Sequence, residues 1–255
     1  MKTLPKNLQK LFLKSEDEFV YSLFDTTDHS SDENSETPNF VSENQKLVVS
    51  KGTPTRMSFE KLNSIIKTKK IIFYTGAGIS AEAVPTMNIL MTRLGIAKNL
   101  ENDNKLQKYI SEIMYNSAKY TEILRDFWER CESASPTKAH ILLAECAKKF
   151  DHLIVTKNVD QLHQHSGIQP MVLSGNDNYS GDEKMISLIK TSDYIITVGL
   201  NSDESGFLKF YKTHNPNGKI ISVNLVLTNY LSNDDFYVEG NVQKIAEEIF
   251  KLSEK

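Results

Sequence analysis

The stretch KIIFYTGAGIS, residues 70–80, decides the fold. Its first half is an uninterrupted apolar run, which is typical of a strand covered on both faces. Its second half places Gly76 and Gly78 directly after that run, where the backbone and the start of a helix can approach a phosphate. The Gly-Ala-Gly sequence alone is a weak signal, because a structural turn fits it equally well.

Similar apolar runs recur at residues 152–156, 170–174, 194–199 and 219–224. Helical patterns occupy residues 57–70, 136–150, 181–192 and 241–252, and Ser58 is expected to cap the first helix. Strands that alternate with helices predict an α/β fold with a doubly wound parallel sheet. Because ligands bind at the carboxyl ends of the strands in such sheets, functional residues are expected just after each strand.

The N-terminal part of the chain differs from the rest in charge. Between Ser15 and Gln45 there are nine acidic residues and no Lys or Arg, although the net charge of the whole chain is only −3. This serine-rich stretch has too little apolar surface to offset the entropy of ordering, so residues 1–56 are predicted to be largely disordered. Residues 57–255 form the predicted folded domain, with a small helical module at about 87–131.

Composition excludes several classes of protein. The longest apolar run, from Tyr194 to Leu200, is far shorter than the roughly 18 residues that cross a bilayer, so no membrane partner is expected and the protein is predicted to be intracellular, cytoplasmic or nuclear. Cys131 and Cys146 are the only cysteines; they are too few for a cysteine-rich zinc site and are expected to be buried reduced thiols. The mildly basic remainder suits a phosphate ligand, but a solvated surface explains it equally well. No nucleic-acid partner is predicted.

A second junction, TKNVDQLH at residues 156–163, follows the predicted strand 152–156. It brings an amide (Asn158), a carboxylate (Asp160) and an imidazole (His163) to the expected ligand edge. The alternative is that Asn158 and Asp160 only cap the next helix.

Five motifs in order resemble the sirtuin, or Sir2-like, family: GAGIS at 76–80, PTKAH at 136–140, TKNVDQLH at 156–163, GLNS at 199–202 and ISVN at 221–224. The resemblance covers roughly Met57 to Leu252. It implies a Rossmann-like NAD-binding fold of the sirtuin type (DHS-like) with a reduced small helical module, and NAD or ADP-ribose as the ligand.

The resemblance also assigns roles to individual residues. The diphosphate contacts fall on Gly76, Ala77, Gly78 and Ser80, with Glu82 supporting the loop. The remaining phosphate, ribose and adenine contacts fall on Gly199, Asn201, Ser202, Asn224, Asn241 and Val242. Asn158 and Asp160 match the pair that holds nicotinamide and assists cleavage of its bond to ribose.

Departures from the family pattern concern the deacylation apparatus. Ser174 stands at the position of the catalytic histidine, and a hydroxyl cannot accept a proton near neutral pH as an imidazole can. His163 or His165 is the alternative base. Met87 and Asn88 replace a Phe and an Arg, and residues 177–190 leave no room for the zinc module or the peptide-binding loop, so no zinc is predicted.

The sequence therefore predicts a divergent enzyme that cleaves the nicotinamide–ribose bond and transfers ADP-ribose to a protein acceptor or to water, with lysine deacylation weak or lost. The alternative is a non-catalytic NAD- or ADP-ribose-binding pseudoenzyme, or an interaction protein. Lys157, in place of the family's Gln, bears on the choice. It either faces a phosphate of the cofactor or opposes positive charge on the nicotinamide ribose.

Overall fold

The computed structural model describes residues 53–85, 89–90, 93, 117–173, 183–203 and 205–250. Met87, Asn88 and Ser174 lie outside the described residues, as do the predicted disordered segment up to residue 52 and most of the predicted helical module. The expectations for these positions stay predictions.

The strands form one seven-stranded sheet in the order β1-β7-β6-β5-β2-β3-β4, and every neighbouring pair is parallel. The strands are β1 (Thr55–Arg56), β2 (Ile71–Thr75), β3 (Leu153–Thr156), β4 (Met171–Val172), β5 (Tyr194–Val198), β6 (Lys219–Asn224) and β7 (Phe236–Glu239). The predicted doubly wound parallel α/β fold is confirmed.

The described helices are α1 (Phe59–Thr68), α2 (Ser117–Ser133), α3 (Lys138–Phe150), α4 (Leu162–His165), α5 (Glu183–Thr191), α6 (Phe207–His214) and α7 (Val242–Ile249). The Ser58 side chain accepts a hydrogen bond from the Lys61 N–H at 3.3 Å, which confirms the predicted cap of α1. None of these helices has both the length and the apolar character that a membrane crossing requires.

Helices cover both faces of the sheet, and this explains the continuous apolar runs in the strands. On one face Phe73 of β2 packs in a core that includes Leu62 of α1 and Leu143 of α3. Its neighbour Tyr74 packs on the opposite face in a second core, with Phe207 of α6. Successive residues of a strand point to opposite faces, so a strand buried on both sides needs apolar residues throughout.

Two strands at one end of the sheet, the edge strand β1 and its neighbour β7, were not predicted from the sequence. β1 has only two residues, both exposed, and the partly exposed β7 pairs between it and β6. β1 is too short to show an apolar run, and β7 has a run of three apolar residues, 236–238, two of which are only partly buried.

The strand order creates a switch point beside β2, because β3 lies on one side of it and β5 on the other. Thr75 at the end of β2 is aligned with Thr156 of β3 and with Val198 of β5. The loops that follow these strands therefore start at the same level of the sheet. Crevices at such switch points are where open α/β sheets bind their ligands.

Candidate functional site

The loop after β2 is a short 3-10 turn over Ala77–Ile79, held against the loop after β5 by backbone hydrogen bonds. The Gly76 N–H donates to the Val198 carbonyl at 3.0 Å, and the Gly78 N–H donates to the Gly199 carbonyl at 2.9 Å. The Ala77 N–H, by contrast, donates to no group within the described part of the chain, and Ala77 is exposed.

The two glycines of this turn are required by close packing against another loop of the protein, which the sequence did not reveal. A Cβ on Gly76 or on Gly78 would lie 2.7 Å from the Gly199 carbonyl oxygen. Their missing side chains therefore face the loop after β5, and not the space where a phosphate was expected. The glycines alone do not indicate a phosphate, although they place the free Ala77 N–H at the carboxyl edge of the sheet.

The carbonyl of Ile79 is the first acceptor in a series of hydrogen bonds whose donors and acceptors can be assigned. It accepts from the Thr137 hydroxyl at 3.0 Å and from the Gln243 side-chain amide at 2.9 Å. Because the Thr137 proton is used in this way, Nδ1 of His140, 2.7 Å from the Thr137 oxygen, must carry the proton that joins them. Nε2 of His140 is therefore an acceptor.

The series of hydrogen bonds continues through Ser80 to the loop after β3. The Ser80 hydroxyl lies 3.4 Å from Nε2 of His140, to which it is a donor. Its oxygen accepts from Nδ2 of Asn158 at 3.2 Å, and the same nitrogen donates to the Gly76 carbonyl at 3.1 Å. Both amide protons of Asn158 are used, so the amide orientation is fixed, and Oδ1 makes no hydrogen bond within the described residues.

Asp160 and Asn158 play different local roles. One carboxylate oxygen of Asp160 accepts from the Leu162 N–H at 3.0 Å, so this residue satisfies the first N–H of α4 from the position before the N-cap, Gln161. The other oxygen makes no hydrogen bond within the described part of the chain, although Asp160 is only 6% exposed. Asn158 caps no helix, because its side chain contacts the loop after β2.

His163 is buried, and Nε2 lies 2.8 Å from the Thr75 hydroxyl oxygen. Its ring packs edge-on against His140, with 4.8 Å between the ring centroids, and its Nδ1 is buried without a partner in the described chain. Burial lowers the pKa of His163 to about 4, against the opposing charge of Asp160. Burial and the neighbouring His163 lower the pKa of His140 to about 3. Both rings are neutral at physiological pH.

Comparisons with known proteins agree with this geometry. A family model described as the Sir2 family matches residues 76–177, which include the glycine turn and both histidines. A curated NAD-dependent protein deacylase of Ralstonia nicotianae is 32% identical over 117 residues, covering 42% of this chain and 43% of that protein. One from Pyrococcus furiosus is 31% identical over 121 residues, with 44% of each chain covered.

Solved structures extend the likeness to the fold. A structure of Sir2Tm bound to a propionylated peptide superimposes with a TM-score of 0.58 at 15% identity, covering 76% of this chain and 98% of that one. A complex of Sir2 with a p53 peptide and NAD+ gives 0.58 at 16% identity over the same shares of the two chains.

In sequence, residues 76–177 of this chain are Sir2-like.

The sequence alignments nevertheless span less than half the length of the curated relatives, 43% and 44% in the two examples above. The predicted resemblance to sirtuins and the predicted fold are confirmed.

The loops after β5 and β6 of this Sir2-like chain are joined by Asn224. Its Nδ2 donates to the Leu200 carbonyl and to Oδ1 of Asn201, both at 2.9 Å, and its Oδ1 accepts from the Leu225 N–H. Asn224 is only 6% exposed, and both amide protons are used inside the protein. Its most direct role is to hold these two loops together, and its predicted ribose contact stays a prediction.

The other predicted cofactor residues are spread around the same edge. Lys157 is half-buried next to Asn158, Ser202 is half-buried after β5, and Glu82 is exposed beyond the turn. Asn241 caps α7 by accepting from the N–H groups of Gln243 and Lys244, and Val242 packs in the core. These two residues have structural contacts of their own, so a role at adenine stays a prediction.

Of the predicted alternative bases, His163 is buried against Thr75 and His165 is exposed at the end of α4. The contacts of His163 are those of a structural residue. The predicted buried reduced thiols are confirmed, because Cys131 and Cys146 are both free and buried. Burial raises the pKa of Cys131 to about 11, with a further contribution from Asp160, and burial raises that of Cys146 to about 12.

Three residues that shape the site received no role from the sequence: Thr137, His140 and Gln243. Thr137 and His140 stand in the PTKAH motif, whose three-residue spacing places both at the start of α3. For Gln243 the sequence gives a weaker indication of a role. It is a polar residue beside the apolar positions Val242 and Ala246 of an amphipathic helix.

Proposed function

We propose that this Sir2-like chain binds NAD across the carboxyl edge of the sheet and cleaves its nicotinamide–ribose bond. The observation that carries the proposal is the pair of hydrogen bonds from Nδ2 of Asn158 to Gly76 and Ser80. They join the glycine turn to the loop after β3, so a diphosphate bound to the turn would lie near Asn158, in the same loop as Asp160. The NAD-dependent relatives support the choice of cofactor.

The donors and acceptors of the site fit the two ends of such a ligand. The free Ala77 N–H suits a phosphate oxygen, since anions bind where backbone N–H groups are unpaired. The oriented Oδ1 of Asn158 suits the N–H donors of a carboxamide. Asn224 fits less well, because its amide protons are already used.

NAD would bring a positively charged nicotinamide ring that leaves as neutral nicotinamide, so the positive charge would pass to the ribose as their bond breaks. Asp160 is 6% exposed and keeps one carboxylate oxygen without a hydrogen bond in the described chain. A fixed carboxylate with little access to water stabilises nearby positive charge more strongly than a solvated one. Asn158 would hold the carboxamide, and Asp160 would supply negative charge near the bond to be broken.

We further propose that ADP-ribose passes to a protein acceptor or to water, and that lysine deacylation is weak or lost. The support is the sequence alone, since Ser174 replaces the family's histidine and lies outside the described residues. General-base assistance is worth about 10²–10⁴-fold, so a chain without it is a slow deacylase.

A second candidate is a non-catalytic binder of NAD or ADP-ribose. The observation in its favour is Lys157, a half-buried cation adjacent to Asn158 where the family has Gln. A cation beside the nicotinamide ribose opposes the charge that develops there. In that case ADP-ribose binds but nicotinamide is not released.

The deciding experiment incubates the purified full chain with NAD and follows nicotinamide release, with and without an acylated peptide, while calorimetry measures ADP-ribose binding. Asp160→Asn should abolish release and leave ADP-ribose binding nearly unchanged, because the residue belongs to the nicotinamide end. The matched control is Asp151→Asn, the same chemical change at an exposed residue in a left-handed conformation that Asn tolerates.

The outcomes separate the candidates. Release by the wild type that Asp160→Asn abolishes supports the enzyme, and binding without release supports the non-catalytic binder. No heat with the wild type at millimolar ADP-ribose contradicts both. Deacylation of a lysine peptide at an ordinary rate, about 0.1–1 s⁻¹ or faster, contradicts the assignment of Ser174.

A further inference from the structure

Gln243 is an anomaly in the last helix. The buried residues of α7 are Val242, Gln243, Ile245, Ala246 and Ile249, and Gln243 alone among them is polar. A buried side-chain amide is costly unless its donor and acceptor both find partners. Gln243 is 8% exposed, so its partners should identify what it does.

Both ends of the Gln243 amide contact the elements that build the candidate site. Its Nε2 donates to the Ile79 carbonyl at 2.9 Å, inside the glycine turn. Its Oε1 accepts from the Ala139 N–H at 2.8 Å, in the first turn of α3. One side chain on the last helix thus ties together two segments that lie more than 100 residues before it in the chain.

The contact with Ile79 matters because of what else depends on that carbonyl. The same oxygen accepts from Thr137, and this bond sets the direction of the hydrogen bonds that run on to Ser80. Movement of Ile79 would therefore disturb the turn and the orientation of Asn158 together. Val242, Ile245 and Ala246 of α7 also pack in the core that contains Ile79, but Gln243 is the residue of this helix that bonds to the Ile79 carbonyl.

We propose that Gln243 is a positioning residue for the glycine turn and that it sets the affinity of the turn for the diphosphate of its ligand. The proposal rests on the proposed binding of NAD by this turn. Gln243 is placed in contact with Ile79 and Ala139, not with the ligand, so it acts by holding the turn at the distance from α3 and α7 that its two hydrogen bonds define.

The test uses the full chain, with ADP-ribose as the probe in calorimetry at pH 7.5 and at pH 5.5. In Gln243→Glu the carboxylate still accepts from Ala139, but its other oxygen faces the Ile79 carbonyl and repels it. Binding at pH 7.5 should be roughly tenfold weaker than in the wild type, the effect of one lost hydrogen bond. At pH 5.5 the gap should shrink, because burial raises the pKa of a carboxyl group and the protonated acid can donate to Ile79 as glutamine does.

A second variant, Gln243→Met, has similar length and no hydrogen bonds, and it decides the matter if Glu prevents folding. Its binding should be weaker at both pH values, without recovery at the lower one. The matched control is Gln169→Glu, the same chemical change at an exposed residue. The charged and titratable groups of α7 and of the first turn of α3 are the Lys138–Glu247 ion pair, which joins the two helices, Lys244 and Glu248 on α7, and His140 on α3. They are common to all variants, so the wild-type profile at each pH is the reference.

Three outcomes overturn the proposal. The first is wild-type affinity in either Gln243 variant at pH 7.5. The second is an equal loss in both variants at both pH values, because lost packing alone then explains it. The third is a wild type that binds no ADP-ribose, and only this outcome also removes the proposed function.

Discussion

Oγ of Ser80 lies 3.2 Å from Nδ2 of Asn158, although the two residues are 78 positions apart in the chain. The bond crosses from the loop after β2 to the loop after β3, two strands that are neighbours in the sheet. Since Ser80 donates its own proton to His140, it can only accept from Asn158. The two residues therefore fix one orientation of the Asn158 side-chain amide.

Asn158→Asp should impair both stability and nicotinamide release. The carboxylate cannot donate to the Gly76 carbonyl, which lies 3.1 Å from the present nitrogen, and it repels that oxygen. We expect the free energy of unfolding to fall by about 1–3 kcal/mol and nicotinamide release to fall at least about tenfold. Urea unfolding and an assay of free nicotinamide measure the two effects.

The control for this variant is Asn217→Asp, the same change in an exposed turn. It should leave both quantities unchanged. If Asn158→Asp behaved like this control, the hydrogen bonds between the two loops would not determine the amide orientation.

Gly199→Ala should be strongly destabilising, because two costs combine at this position. Gly199 has a φ of 65°, and a Cβ there would lie 2.5 Å from the Ile79 nitrogen. The left-handed conformation costs about 1–2 kcal/mol and the steric overlap about 1–3 kcal/mol more. Chemical denaturation of the purified variant measures the total.

Gly206→Ala separates the two costs. Gly206 has nearly the same φ, 67°, but apart from its two chain neighbours no described residue has an atom within 4 Å of the position its Cβ would take. Its loss of stability should therefore be limited to the conformational part, about 1–2 kcal/mol. Equal losses in the two variants would contradict the close approach of the loops after β2 and β5.

Stability should decrease as the pH falls below about 6.5, because of the two packed histidines. Burial lowers the pKa of His163 to about 4 and that of His140 to about 3, from a usual value of 6.5. Between pH 6.5 and these values the unfolded chain binds more protons than the folded chain, so acid favours unfolding. Each such proton changes the free energy of unfolding by about 1.4 kcal/mol per pH unit.

His163→Gln isolates one of these protons. The amide can still bond to the Thr75 hydroxyl, and it does not titrate. Urea unfolding at a series of pH values from 7.5 to 5 should give a shallower slope for the variant than for the wild type, by up to one proton. Parallel slopes would mean that His163 is not held neutral by burial.

The purified protein should contain no stoichiometric structural zinc. Cys131 and Cys146 are buried in different helices, and their raised pKa values disfavour the thiolate form that binds metal. Elemental analysis of protein prepared without a metal-affinity tag tests this, together with melting in the presence of a chelator. One zinc per chain, or a lower melting temperature with the chelator, would contradict the prediction.

Much of the architecture was predictable because the central strands are buried on both faces. β2, β3, β5 and β6 read as continuous apolar runs, and each begins or ends within one or two residues of the predicted bounds. The cap at Ser58 was predictable for a similar reason, since the residues that decide it are within one turn of helix. β1 was not predictable in this way, because its two exposed residues pair at the sheet edge with a partner strand and are not buried.

By itself, the sequence determined the parallel α/β fold, the positions of the loops at its carboxyl edge, and the motifs that resemble the Sir2-like family. These are properties of local periodicity and of residue order. Only the tertiary structure decided that Gly76 and Gly78 face Gly199 and that His163 is buried against Thr75. It also decided that Ile79 is held by Thr137 and Gln243. The physical reason is that hydrogen bonds and close contacts between distant segments depend on distances of a few ångströms, which exist only once the sheet has brought its loops to one edge.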